Sequence, residues 1–317
     1  MFSTQNDVYL PDDDTIERVL NSDRLHILKH ESLALSEALQ NSGNRLVLRL
    51  ADRMDRCTSF RQHRLFKQRG AASWTCQSDI VHHCKLAYCP ICGSNRSYSW
   101  SRRFESMVPL VRENYNACKF LLFTISSKNC DVSALGREIT KIKAAWRKIT
   151  KRKRFKAVMG WIRSIEVTTG GLEDSTWTSG AAHPHIHALL CVPANFKADR
   201  NAENEWGSIW REVMDLDYEP TFHIESVKRS PNKYDDALRV VRYITKPIRL
   251  IDAEPSWAHE YVLQTRGERL ISSGGIFRGV AIESESTCQE PQHGSGEYMV
   301  RSIWSKDTDR WEVDSIL

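Results

Sequence analysis

Residues 183–192 read His-Pro-His-Ile-His-Ala-Leu-Leu-Cys-Val, and the rest of the chain is best understood outward from them. Side chains alternate between the faces of an extended strand, so His183, His185 and His187 share one face. The apolar run from Ala188 to Val192 marks the strand as buried and central. Imidazoles in a row on a buried face are costly unless something pairs with them. A single buried His is most often a hydrogen-bonded core residue. Several at spacing i, i+2 point instead to a divalent metal. That spacing names no chemistry, because metal-dependent hydrolases of several folds place His-x-His on a strand.

The flanking segments supply partners. Gly160–Thr169 (GWIRSIEVTT) predicts a strand, and Gly170, Gly171 and the polar stretch to Gly180 predict a long hairpin connection to the His strand. Pairing of the two strands would set Glu166 on the face of His185 and His187, with Ile162 and Ser164. Arg163, Ile165 and Val167 would face the other way. Two imidazoles and a carboxylate leave open positions on Mg²⁺ or Mn²⁺ for a substrate oxygen.

Phe120–Ser126 (FLLFTIS) predicts another buried strand. Leu135, Ile139, Ile142, Trp146 and Ile149 fall at helical spacing, with Asp131 or Ser133 as the cap. Further helices are predicted over 31–56 (broken at Asn41-Ser42-Gly43), 96–115, 205–214 and 235–246, the last stopped by Pro247. A short strand is predicted at 223–227. Residues 1–31 read as loosely ordered, 281–297 as loop, and the pattern fades beyond 250. Strands and helices interleave, yet the metal face sits on a hairpin. The expected fold is therefore α+β, a central antiparallel sheet with flanking helices, plus a small zinc-binding segment.

The zinc segment rests on Cys84-x4-Cys89-Pro90-Ile91-Cys92. The N-terminal stretch MFSTQNDVYLPDDDTIERVL has neither the basic start nor the apolar core of a targeting signal, and no window approaches the length needed to span a bilayer. A cytoplasmic protein with no membrane partner is expected, and its nine Cys are then thiols or metal ligands. Cys84, Cys89 and Cys92 suit a structural Zn²⁺, with Cys57, Cys76, His82 or His83 as fourth ligand.

Net charge is only +5, from 45 Lys+Arg against 40 Asp+Glu, but it is concentrated. Nine of the sixteen residues in 141–156 (KIKAAWRKITKRKRFK) are basic, among them Lys148, Lys151, Arg152, Lys153 and Arg154. Arg242 belongs to a second patch with Lys228, Arg229, Lys233 and Arg239. Single-signed runs of this density predict phosphate contacts with nucleic acid.

Taken in order, FLLFTIS, SIEVTT, HPHIHALL and VVRYITKP resemble the motif series of HUH endonucleases, in the branch of one-tyrosine rolling-circle plasmid replication initiators. The resemblance spans roughly residues 45–280. It implies an HUH nuclease domain over 119–250, preceded by an N-terminal segment 1–45 and a zinc-binding, basic helical segment 46–118, and followed by an extension 251–317. It implies Tyr243 as the nucleophile that nicks one strand of origin DNA, forming a 5′-phosphotyrosine link and a 3′-OH primer before strand transfer and rejoining. Lys246 would assist, and Mg²⁺ or Mn²⁺ would be held by His185, His187 and Glu166, with His183 a weaker candidate. It favours Cys57 as the fourth zinc ligand over Cys76. The implied partners are plasmid origin DNA, single-stranded or as an extruded hairpin, and host helicase and polymerase. One departure stands out: Arg239 occupies the position where members of this branch often carry a Glu that activates water in the terminating cleavage. Two other readings fit parts of the chain, a single-Tyr transposase and a non-catalytic, zinc-stabilised DNA-binding regulator.

Overall fold

A computed structural model describes residues 23–66, 75–115, 117–170, 180–227, 232–278 and 297–316. In chain order the elements are α1 (Asp23–Gln40), α2 (Arg45–Asp55), β1 (Phe60–Phe66), β2 (Thr75–Val81), α3 (Pro90–Asn114), β3 (Cys118–Ser126), β4 (Cys130–Asp131) and α4 (Leu135–Ile149). There follow β5 (Gly160–Thr169), β6 (Ala181–Pro193), α5 (Arg200–Met214), β7 (Thr221–Ser226), α6 (Lys233–Ile244), α7 (Pro255–Gln264), β8 (Ile271–Gly275), β9 (Glu297–Ser305) and β10 (Arg310–Ile316). No described helix is long and apolar enough to cross a membrane.

The chain forms two compact units, one from residues 1–92 and 283–317, the other from 93–282. The segments 46–118 and 251–317, distinguished by sequence, each contribute to both units.

In the first unit the strand order is β10-β9-β1-β2, all antiparallel. Sequence periodicity missed this sheet. Its β1 buries Arg61, His63 and Leu65 on one face, so a polar-looking strand hides an inward-facing row. His63 shares a 3.0 Å hydrogen bond with Ser302, and Arg61 lies 4.7 Å from the centre of the Trp311 ring. The expectation of loose order up to residue 31 is corrected for 23–31, which lie in α1.

The second unit is built on the sheet β7-β3-β6-β5-β8, with β4 also pairing β6. The predicted hairpin is present, with Glu166 opposite His185. Central β6 is buried along almost its whole length, which is why its sequence is apolar on both faces. Pro184 is tolerated there because its carbonyl points to Ser127, beyond the last residue of β3. Its missing donor falls on that same side, past the end of the pairing.

Helices cover both faces. On one, α3 and α6 place Trp100, Phe104, Tyr234, Val241 and Ile244 against Phe120, Ile162, Leu189 and Cys191. On the other, Trp146 of α4 and Trp206 of α5 pack edge-on to Phe123, with ring centres 5.8 Å apart in each pair. The start of α5 is capped by Asp199, that of α6 by Asn232, and Asp131 caps the short turn before α4. The fading pattern beyond 250 concealed α7 and β8. Gly274 keeps β8 close to β5, because a Cβ there would lie 2.5 Å from the Trp161 ring.

Candidate active site and metal centres

The imidazoles converge with Glu166 at the open end of β6, on the α3/α6 face. Glu166 Oε2 lies 3.5 Å from His185 Nε2 and 3.3 Å from His187 Nε2. The far nitrogens are anchored. His185 Nδ1 sits 3.2 Å from the His183 carbonyl, which can only accept, so Nδ1 donates there and Nε2 is the nitrogen left to face Glu166. His187 Nδ1 is held at 3.0 Å by Thr124 Oγ1, its register partner on β3. This supporting role of Thr124 was not read from the sequence, although a hydroxyl on an otherwise apolar strand was its signal. The three ligand atoms lie within 4.8 Å of one another, a donor set suited to a divalent ion. His183 stands apart, bonded at 2.7 Å to Asn129 Oδ1. Its ring belongs to the row without joining the cluster.

The second oxygen of Glu166 accepts from Lys246 Nζ at 3.1 Å. Burial raises the Glu166 pKa, but bonds from His185, His187 and Lys246 outweigh it and hold the carboxyl well below the usual range. Tyr243 projects from the last turn of α6, half exposed, with its ring centre 5.4 Å from that of His187. Lys246 Nζ lies 4.6 Å from the centre of the same ring. The nucleophile candidate, the ammonium and the carboxylate–imidazole cluster therefore share one place. A cleft of about 320 Å³ runs on from Glu166 and Lys246 between Thr169, Arg249 and Trp257. Arg239 is exposed and pairs with Asp236 at 3.6 Å, while Arg242 reaches Glu105 at 3.6 Å.

In the first unit, Cys57, Cys84, Cys89 and Cys92 form a buried cluster. The Sγ separations are 3.7 Å for Cys57–Cys92, 3.6 Å for Cys84–Cys92 and 3.8 Å for Cys57–Cys89. A tetrahedron with Zn–S near 2.3 Å has edges of about 3.8 Å, so the four sulfurs fit Zn²⁺ as they stand. The residues after Cys57 and Cys84, Thr58 and Lys85, both have φ of 58°. Lys29 is buried alongside and donates to the carbonyls of Asp55 (2.9 Å) and Cys57 (2.7 Å). Burial pulls its pKa down to about 8 against the attraction of Cys57, Asp55 and Cys89. Of the open choices for a fourth ligand, Cys57 is the one in the cluster. Cys76 lies on β2, and its side chain is outside the described residues.

The basic run is placed differently from the simplest expectation. Helix α4 packs on the face of the sheet away from Tyr243, and Lys153 and Arg154 follow it. Gly160, at the start of β5, is six residues from Glu166, about 20 Å of strand. Arg152 pairs with Glu212, Arg154 with Glu205 at 3.4 Å, and Lys148 reaches the Val213 carbonyl at 3.5 Å. Lys151 and Lys153 are exposed. Of the second basic patch, Lys233, Arg239 and Arg242 lie on the helix of Tyr243. Lys228 and Arg229 fall outside the described residues.

Comparison with known proteins adds a family. Residues 77–303 match the model of the Rep_1 family, described as replication protein. A "Protein rep" of Lentilactobacillus hilgardii is 28% identical over 210 residues, covering 62% of this chain and 65% of its own length. A "Protein rep" of a Bacillus species is 31% identical over 150 residues, 47% of each chain. A "Replication protein" of Staphylococcus aureus is 27% identical over 190 residues, 56% of this chain and 78% of its own. The chain thus spans just under two thirds of the length of the first of these relatives. No solved structure matches it.

Proposed function

Because this chain belongs to the Rep_1 family of replication proteins, we propose that it initiates rolling-circle replication of a plasmid, nicking one strand of origin DNA through Tyr243. The observation that carries this reading is the contact between the Tyr243 ring and His187, a member of the His185–His187–Glu166 cluster. A phenol beside a divalent-metal donor set, with an ammonium at its edge, suits attack on a phosphodiester.

His185, His187 and Glu166 would hold Mg²⁺ or Mn²⁺, which supplies a Lewis acid for a non-bridging phosphate oxygen. Lys246, bound to Glu166 and lying over the Tyr243 ring, fixes the carboxylate and attracts the phosphate to the phenol. Tyr243 Oη forms a bond to phosphorus as the P–O3′ bond breaks. The phenolic proton leaves to water at the exposed edge, and the departing O3′ takes one up to become a 3′-OH. One phosphodiester is exchanged for another, so the bond energy is kept for rejoining. That reverse attack by a 3′-OH needs no carboxylate at position 239. It accords with Arg239 there, turned to solvent and paired with Asp236. In the first unit, Cys57, Cys84, Cys89 and Cys92 would hold Zn²⁺ as a structural centre.

The test is incubation of the protein with single-stranded origin DNA and Mn²⁺, followed by denaturing electrophoresis. A covalent protein–DNA adduct is expected, absent in Tyr243→Phe. An adduct of equal yield from Tyr243→Phe would overturn the assignment. Sequence-specific binding with no cleavage would favour the regulator reading instead.

A further inference from the structure

On the opposite face of the same strand, a group of buried donors is left without acceptors among the described residues. Arg163 is three residues before Glu166 on β5 and faces α4. It is 6% exposed, with its guanidinium carbon 5.7 Å from the centre of the Trp146 ring. Its Nε and Nη1 are buried with no hydrogen-bond partner among the described residues. Two more buried donors nearby share this condition, Ser272 Oγ and Trp146 Nε1. Ser272 is the register partner of Arg163 on β8, so the two side chains leave the sheet on the same face.

The charges around Arg163 make matters worse rather than better. Burial first, then the guanidiniums of Arg269 and Arg147, push its pKa down to about 10, and no described carboxylate acts to raise it. Glu268, the acid next to Arg269, is taken by Lys143. A buried cation among cations, ringed by unused donors, is among the least favourable arrangements a fold can hold. An oxyanion with several acceptor oxygens removes every part of the cost at once, and a guanidinium is shaped to receive one.

We propose that Arg163, Ser272 and Trp146, with Arg147 at the rim, form a binding site for a phosphate group on the face of the sheet away from Tyr243. The exposed basic residues of α4 beside it suit a phosphodiester of bound DNA. Inorganic phosphate offers the same chemistry. The site does not depend on the assignment of Tyr243.

The full-length protein in phosphate-free buffer is titrated with sodium phosphate, against sodium chloride at equal ionic strength, while thermal unfolding is followed. Binding of labelled single-stranded DNA is measured in parallel between about 50 and 200 mM salt. Arg147→Ala, at an exposed position, tests the site without opening the core, and Arg163→Gln tests its centre. If free phosphate is the ligand, it raises the unfolding midpoint saturably in the wild type, and Arg147→Ala loses most of that response. If a DNA phosphate is the ligand, Arg147→Ala loses about one phosphate from the salt dependence. The fall in affinity for the single-stranded probe across that salt range then shrinks by about 2.6-fold. The same measurements on Tyr243→Phe match the wild type in either case, which separates this site from the nicking site. A wild type indifferent to phosphate, with Arg147→Ala of unchanged salt dependence, overturns the proposal. So does a phosphate response that survives in both arginine variants.

Discussion

Replacing Cys57 by Ser tests the zinc centre at its least predictable ligand. Sequence spacing leaves Cys57 and Cys76 both open, whereas the geometry puts Cys57 Sγ within 3.8 Å of Cys89 and 3.7 Å of Cys92. Those separations are already close to the edges of a zinc–thiolate tetrahedron, so little reorganisation opposes binding. Structural zinc sites contribute about 10–16 kcal/mol of apparent binding energy, so one thiolate in four is worth about 3–4 kcal/mol. That corresponds to a loss of roughly two to three decades in zinc affinity. Cys57 Sγ also accepts the backbone N–H of Cys84 at 3.4 Å, so the substitution disturbs a second ligand as well. The assay is competition for zinc against a chromogenic chelator, with Cys76→Ser and Cys118→Ser alongside. Cys118 is buried and outside the cluster. The expected result is a large loss for Cys57→Ser and near wild-type affinity for the other two. Tight zinc in Cys57→Ser together with its loss in Cys76→Ser would refute the reasoning.

Glu166→Gln, His185→Ala and His187→Ala should each slow adduct formation roughly 100- to 1000-fold while sparing DNA binding in a gel-shift assay; failure of these variants to fold would instead point to a structural metal. Acid should weaken the first unit through His63, whose pKa is lowered to about 3 by burial and then by Arg61. The folded-state value lies below the unfolded one near 6.5, so the unfolded chain takes up the proton first. Stability is level above about pH 6.5 and falls below it, by about 2 kcal/mol at pH 5. Urea unfolding at pH 7 and pH 5 checks this, and His63→Gln should lose that part of the difference. Gly274→Ala drives a Cβ to 2.5 Å from the Trp161 ring and should cost about 1–3 kcal/mol, read as a lowered thermal midpoint.

The geometry of the candidate site was legible because its constraints are local. A strand apolar on both faces has to be central, and alternation then fixes which residues share a face with His185 and His187. Glu166 followed from one assumption, the hairpin, which the register bears out. The role of the basic run was only half legible. Composition announces phosphate contacts, but the face a helix takes depends on tertiary packing, and Trp146 commits α4 to the side away from Tyr243. The first unit's sheet was not legible at all. Its β1 and β9 pair across more than two hundred residues, Phe60 with Ile303, and no local window contains both. Its buried row also includes Arg61, His63 and Ser302, which a hydropathy pattern reads as surface.

The placement of Tyr243 bears on how one tyrosine would serve both steps of the proposed reaction, nicking and rejoining. The helix that carries it is fixed: Tyr234, Ala237, Val241 and Ile244 are buried, and Thr245 bonds both the Val241 carbonyl (2.7 Å) and Ser97 (3.0 Å). The phenol itself is half exposed, touching only the edge of the cluster through His187 and Lys246. Under that proposal, a rigid backbone with a half-exposed ring would let the same Oη approach the cluster to attack, then carry its DNA aside while a new 3′-OH comes in. Glu166, by contrast, is tied on both oxygens, to the imidazoles and to Lys246. On the proposed mechanism the site divides its labour between a donor set held in place and a nucleophile left loose, which suits two successive transesterifications at one centre.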